Sequence, residues 1–250
     1  METVKYKYKE RKSKVEEILD NTDKVNEVDS FPRDEDFTYS NGYKAFACAI
    51  FVDLRDSTTL FTNHNDIEIS KVIRGFTSEI IEILRNNVDG NELKEIGIRG
   101  DCVFAVYSAP KKGDICEVAN RAFYINTYMK MLNNLLKERS LPSIQAGIGL
   151  AVEKTLAVKA GRKSSGIHNL VWIGEAVAKA SKLSDLGNKD GVKPIVMSKI
   201  CYDNFISAAS NKEQHKEWWT KKEDDKYGTY YHADIFKSEF NKWITDGMPN

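Results

Sequence analysis

Short, almost wholly apolar runs alternate along the chain with longer stretches in which apolar residues recur every three or four positions. The densest run, AFACAIFVDL over 45–54, has strand length and predicts a central strand covered on both faces. It breaks into the polar turn RDST. Over 66–85, Ile69, Val72, Ile73, Phe76, Ile80, Ile83 and Leu84 share one helical face, predicting a long amphipathic helix laid on a sheet, with Gly90 as its stop signal. ELKEIGIRGDCVFAVYSA then reads as a hairpin. Leu93, Ile96 and Ile98 alternate, Arg99-Gly100-Asp101 makes the turn, and Cys102 to Tyr107 returns as an apolar strand. A further helix is expected over 114–137.

Beyond Pro142, SIQAGIGLAVEKTLAVKAG predicts a glycine-bearing strand, a bend and more extended chain, and GRKSSGIHNL over 161–170 reads as a loop. VWIGEAVAKASKLSDLG begins as a strand and becomes a helix through Ala176, Ala180 and Leu183, stopping at Gly187. PIVMS and YGTYYHADIF are late strands. Residues 1–41 are expected to form a charged helix and a polar linker, 42–240 a single domain, and 241–250 a tail. Strands mixed with long helices and a hairpin give an α+β class, with helices packed over one mostly antiparallel sheet.

Composition narrows the function more than the fold. With 250 residues, 41% of them hydrophobic, the chain can bury one sizeable core. Its 37 basic and 37 acidic residues cancel, so no overall field draws nucleic acid or an anionic membrane. The charged start METVKYKYKERKSKVEEILD reads as neither leader nor anchor, and stable membrane association is not expected. Cys48, Cys102, Cys116 and Cys201 lack paired spacing, which suits a reducing cytoplasm better than a zinc site or a disulfide framework. His64, His168, His215 and His232 are scattered without partners at catalytic spacing. The lysine-rich stretch HKEWWTKKEDDKYG reads as a solvated charged turn, with a late hairpin as the alternative, and Trp218 and Trp219 as packing residues.

Two carboxylates carry the candidate chemistry. Asp53 closes the central strand at a sheet edge, before a turn whose amides suit phosphate. Asp101 sits at the tip of a glycine-containing hairpin. A fold that lays this hairpin beside the first strand gives Mg²⁺ or Mn²⁺ two hard oxygen donors, with phosphate and water filling the rest of the shell. The alternative is that Asp53 caps the following helix and Asp101 only occupies a turn.

In order, AIFVDLRDST, IGIRGDCVFAVY, GIGLAVEKTLAVKAG and VWIGEAVAKASKL resemble the motifs of the class III nucleotide cyclases, over about residues 44–236. The resemblance implies a cyclase fold derived from the ferredoxin-like arrangement. It also implies two Mn²⁺ or Mg²⁺ ions per site on Asp53, Asp101 and the Leu54 carbonyl. Attack of a ribose 3′-hydroxyl on the α-phosphorus would then release pyrophosphate and a 3′,5′-cyclic nucleotide. Amides at Asp56, Ser57 and Thr58 would hold phosphate, and Lys154 falls where the family often has a basic triphosphate contact, although a solvated lysine reads equally well there. Sites of this family form between subunits, which implies a head-to-tail homodimer in which the opposite subunit brings VWIGEAVAKASKL. There the sequence departs from the pattern: Ala178 stands where a ribose-orienting asparagine is usual, and Lys182 where an arginine stabilises the transition state. Lysine keeps that charge but loses the planar fork.

The purine-reading positions depart too, being Gly97 and Val171. Phe51, Arg99 and Trp172 surround them in sequence terms, and bulky rings with a strong donor suit the carbonyls of a pyrimidine better than a purine. Phe51 and Trp172 as ordinary core aromatics is the competing reading. FVDLRDST, with Asp56-Ser57 where most class III cyclases have glycine-phenylalanine, resembles the pyrimidine cyclases of Pycsar antiphage defence. The expectation is therefore a cyclase of UTP, then CTP. The rivals are an adenylyl or guanylyl cyclase of ordinary signalling and a pseudo-cyclase that binds nucleotide without turnover.

Overall fold

The computed structural model describes residues 6–21, 24–89, 92–162 and 167–249. Its centre is the strand the apolar run predicts. β2 (Asn41–Leu54) pairs antiparallel with β4 (Cys102–Ser108) on one side and β5 (Ala146–Arg162) on the other, so neither edge of β2 is open there. β3 (Leu93–Arg99) extends the sheet beyond β4 as the expected hairpin. Beyond β5, β7 (Ile195–Ser198) runs parallel to it, followed by β9 (Gly228–Ala233) and β8 (Thr220–Asp224), giving the order β3-β4-β2-β5-β7-β9-β8. β1 (Lys24–Glu27) adds to β2 in parallel and β6 (Ile167–Ile173) to β5 antiparallel. The class is α+β, with a mostly antiparallel sheet.

Alternation along β2 decides what each face carries. Cys48, Ile50, Val52 and Leu54 point into a layer made by α3 (Asp66–Arg85), α4 (Lys112–Glu138) and α6 (Lys199–Ala208). On α3 the fully buried stripe is Val72, Phe76, Ile80 and Leu84, one residue every fourth position, and each contributes about 1.5–3 kcal/mol by leaving water. Asn65 caps this helix by accepting from the Ile67 and Glu68 amides. Ala45, Ala47, Ala49 and Phe51 point to the opposite face, which is covered by α5 (Glu175–Ser184), the segment bearing Phe31 and Phe37, and Leu170 and Trp172 of β6.

α5 lies against the sheet because β5 has glycine at the two positions of closest approach, 147 and 149. A Cβ on Gly147 would sit 2.1 Å from the Ser184 carbonyl oxygen, and one on Gly149 2.1 Å from that of Ala180. Those two glycines lie opposite Asp53 and Phe51 in the β2–β5 ladder. The close approach therefore anchors α5 beside the aspartate end of β2.

Several expectations change. The linker over 21–41 contributes strand β1, and the loop over 161–170 gives residues 167–170 to β6, while 163–166 and Gly90 lie outside the described residues. HKEWWTKKEDDKYG follows the hairpin alternative rather than the solvated turn, since it supplies part of α7 (Lys212–Glu217) and strand β8, which pairs with β9. Residues 241–245 belong to a last helix, α8 (Ser238–Thr245). Trp219 packs as expected, edge-on against Tyr202 and Phe205. Among the described residues, no helix is long and apolar enough to cross a membrane.

Candidate active site

Asp53 continues the odd-numbered series of β2 and so faces the side that α5 covers. Its cross-strand partners are Cys102 on β4 and Gly147 on β5. Asp101 precedes Cys102 in a tight turn where Gly100 takes φ 64°, a left-handed conformation that glycine adopts without steric cost, and the two aspartates become neighbours. Burial pushes the Asp53 carboxyl above its ordinary value, the Arg55 guanidinium draws it down, and the Asp101 charge raises it again. The same surroundings push the Cys102 thiol up to about 12, chiefly by burial and then by the Asp53 charge, so that cysteine stays protonated and inert.

Sequence reasoning missed Arg55. Its side chain is 3% exposed and ion-pairs with the Asp53 carboxylate. Nη1 donates to the Asp185 carbonyl at 3.0 Å, just past the C-terminal end of α5, and Nε donates to the Asp53 carbonyl at 3.3 Å. Arg55 thus fastens the end of β2 to the end of α5. The helix that follows, α2 (Ser57–Asn63), takes Asp56 as its N-cap rather than Asp53, which removes the capping explanation for Asp53. Asp56 has φ 53°, the conformation that the family's usual glycine would adopt freely. Ser57 and Thr58 open α2, where backbone amides lack helical partners. Leu54 ends β2 with its side chain buried in the helical layer.

Across the three strands β2, β4 and β3, Asp53, Cys102 and Arg99 form one row on this face, so Arg99 lies about 10 Å from Asp53. The next row is Phe51, Phe104 and Gly97. Phe51 and Phe104 stack with ring centroids 5.1 Å apart, and the Arg99 guanidinium lies 6.0 Å from the Phe104 centroid. Trp172 reaches this face as well, meeting Phe31 edge-on at 5.1 Å and donating from Nε1 to Glu95 Oε2 at 2.5 Å. Burial raises the Glu95 carboxyl, and the bond from Trp172 lowers it. Val171, by strand alternation, points to the other face and is 43% exposed.

One chain does not bring every named residue together. Lys154 pairs with Phe46, about 23 Å of strand from the aspartate end, and its ammonium is engaged by Glu27. Lys182 and Ala178 lie on the exposed side of α5, away from the glycines, and line a cleft of about 310 Å³ with Glu175, Lys179, Lys226 and Tyr227. Lys226 belongs to the stretch for which a solvated turn and a late hairpin are the two readings, and the hairpin is the one present. It sits in the β8–β9 turn and gives that cleft a third lysine. His64 pairs with Glu68, and His232 is buried with Nδ1 accepting from the Lys193 amide.

Among the described residues, no group of three or more His, Cys, Asp or Glu side chains could hold a metal ion. Asp53 and Asp101 are a two-carboxylate pair, one of them half-buried with its charge disfavoured. Such a pair fits a hard divalent cation whose shell is completed by phosphate oxygens and water.

The chain is 45% identical over 245 residues to the uridylate cyclase of Treponema porcinum, covering 98% of this chain and 83% of that one. It is 30% identical over 244 residues to the uridylate cyclase of Gulbenkiania mobilis, covering 93% of each. It belongs to the uridylate cyclase family. No protein-family model matches the chain. The adenylyl cyclase CyaB of P. aeruginosa shares the fold, with a TM-score of 0.61 at 16% identity over 77% of this chain and 95% of that one. This uridylate cyclase family member is thus a nucleotide cyclase with the class III fold.

Proposed function

We propose that the enzyme converts UTP, in preference to CTP, into 3′,5′-cyclic UMP and pyrophosphate, working as a head-to-tail homodimer with two Mn²⁺ or Mg²⁺ ions per site. One observation carries this reading. Asp53 and Asp101 meet at the corner of a sheet face whose adjoining positions are Arg99, Phe51 and Phe104. Two carboxylates and the Leu54 carbonyl would hold the ions, and the ions, when bound, would neutralise the triphosphate and activate the ribose 3′-hydroxyl. The protein's own part is placement. Asp53 and Asp101 fix the triphosphate end, the amides at Asp56, Ser57 and Thr58 receive phosphate oxygens, and Arg99 donates to a pyrimidine carbonyl. The resemblance of FVDLRDST to Pycsar cyclases supports a role in making a second messenger for antiphage defence.

The exposed cleft of Lys182, Lys179 and Lys226 faces away from Asp53 of the same chain, which supports its donation to a second subunit's site. Lys182 would stabilise charge developing on the leaving pyrophosphate, in a role shared with Lys226. Mixing an Asp101→Ala chain with a Lys182→Ala chain tests this arrangement. A head-to-tail dimer leaves one intact site in each heterodimer, so an equal mixture of two inactive proteins should recover about a quarter of wild-type activity. Sites contained within single chains would give no recovery.

A further inference from the structure

We propose that Phe104 sizes the base pocket. Its ring takes the volume that a side chain at position 97 would otherwise use, and leaves room for a pyrimidine but not for a purine. The inference rests on the proposed UTP specificity and adds to it a residue outside the pocket-lining expectation of Phe51, Arg99, Val171 and Trp172.

The observation is a lock between two positions. Gly97 and Phe104 are cross-strand partners on β3 and β4. A Cβ on Gly97 would lie 2.6 Å from Phe104 Cε1 and 2.7 Å from Cζ, so the ring lies directly on the Gly97 backbone. The ring has little freedom to leave. Phe51 stacks on it at an interplanar angle of 13°, and the Arg99 guanidinium overhangs it. Glu95, two residues before Gly97 and opposite Val106 in the next row, is held by Trp172. A glycine inside a strand weakens it by removing a packing side chain, and it commonly marks a place where another group must come close. Packing alone would favour an aliphatic residue at 97. The lock explains the glycine as the seat of the Phe104 ring.

Full-length enzyme with Mn²⁺ is assayed for kcat/KM on each of the four NTPs, with melting temperature recorded for every variant. Phe104→Leu and Phe104→Met should raise the ratio of purine to UTP turnover by about tenfold or more while the protein stays folded. Gly97→Ala alone should depress UTP turnover, and Gly97→Ala with Phe104→Leu should recover part of it, because the added methyl no longer meets the ring. Wild-type preference for ATP or GTP would overturn the UTP reading and this one together. A UTP preference that survives Phe104→Leu and Phe104→Met unchanged overturns only the assignment to Phe104. Unfolding of both variants, which keep most of the apolar volume, would make the ring a core residue and would equally overturn it.

Discussion

Asp101→Ala is expected to lower cyclic nucleotide formation by about 10³-fold while leaving the melting temperature nearly unchanged. A metal clamp on the triphosphate supplies several kcal/mol of charge stabilisation, and each 1.4 kcal/mol lost is about tenfold in rate. Asp101 lies in a hairpin turn and is part-exposed, so its removal leaves no buried partner stranded. Asp53 should behave differently. Its carboxylate is the ion-pair partner of Arg55, whose side chain is 3% exposed. Asp53→Ala strands that charge and should cost about 3 kcal/mol of stability in addition to activity. Asp53→Asn keeps an acceptor for Arg55 and should lose activity with a smaller loss of stability. Thermal melts and product assays on the three variants separate the metal role from the structural one. Equal activity in all three and the wild type would rule out the carboxylate pair as the reaction centre.

Gly149→Ala is expected to destabilise the fold by about 3 kcal/mol or more, which lowers the melting temperature by about 6–12 °C in a domain of this size. The added methyl would meet the Ala180 carbonyl oxygen at 2.1 Å and the Ser184 amide nitrogen at 2.3 Å. Both are backbone atoms, so no rotamer change relieves the contact, and α5 must lift from β5. Calorimetry gives the stability. Because α5 carries Lys182 and ends at the Asp185 carbonyl that Arg55 holds, activity should fall with it. A melting temperature within a degree of wild type would mean that the helix does not sit against the strand as described.

The parts of the fold that were legible in sequence are those in which burial is one-sided or complete. β2 reads as an apolar run because both its faces are covered, and α3 reads from its fourfold stripe. β1 escaped because KVNE is exposed, has no apolar period and pairs with β2 more than a dozen residues on, whereas TKKED, equally exposed, pairs locally with β9 as the late hairpin that stood as the alternative to a solvated turn. The glycines of SIQAGIGLAVEK were visible, but their reason is the backbone of α5, which no local pattern encodes. Within the candidate site, Asp53 and Asp101 stand in ordered motifs, and the sheet register makes them neighbours. Arg55 was hidden because an arginine in RDST looks like a solvated turn residue, and only the packing of α5 buries it. Phe104 looked like one more strand aromatic until its contact with Gly97 gave it a place. The late hairpin offered several lysines, and Lys226 could not be singled out among them because its neighbour Lys182 comes from a different element more than forty residues earlier in the chain.

The most direct test of the pyrimidine cyclase reading is a competition among equimolar ATP, GTP, CTP and UTP with Mn²⁺ and purified enzyme, the products being identified by mass spectrometry. Cyclic UMP is expected to predominate, with cyclic CMP as the minor product and pyrophosphate released in step. Predominant cyclic AMP or cyclic GMP would contradict it.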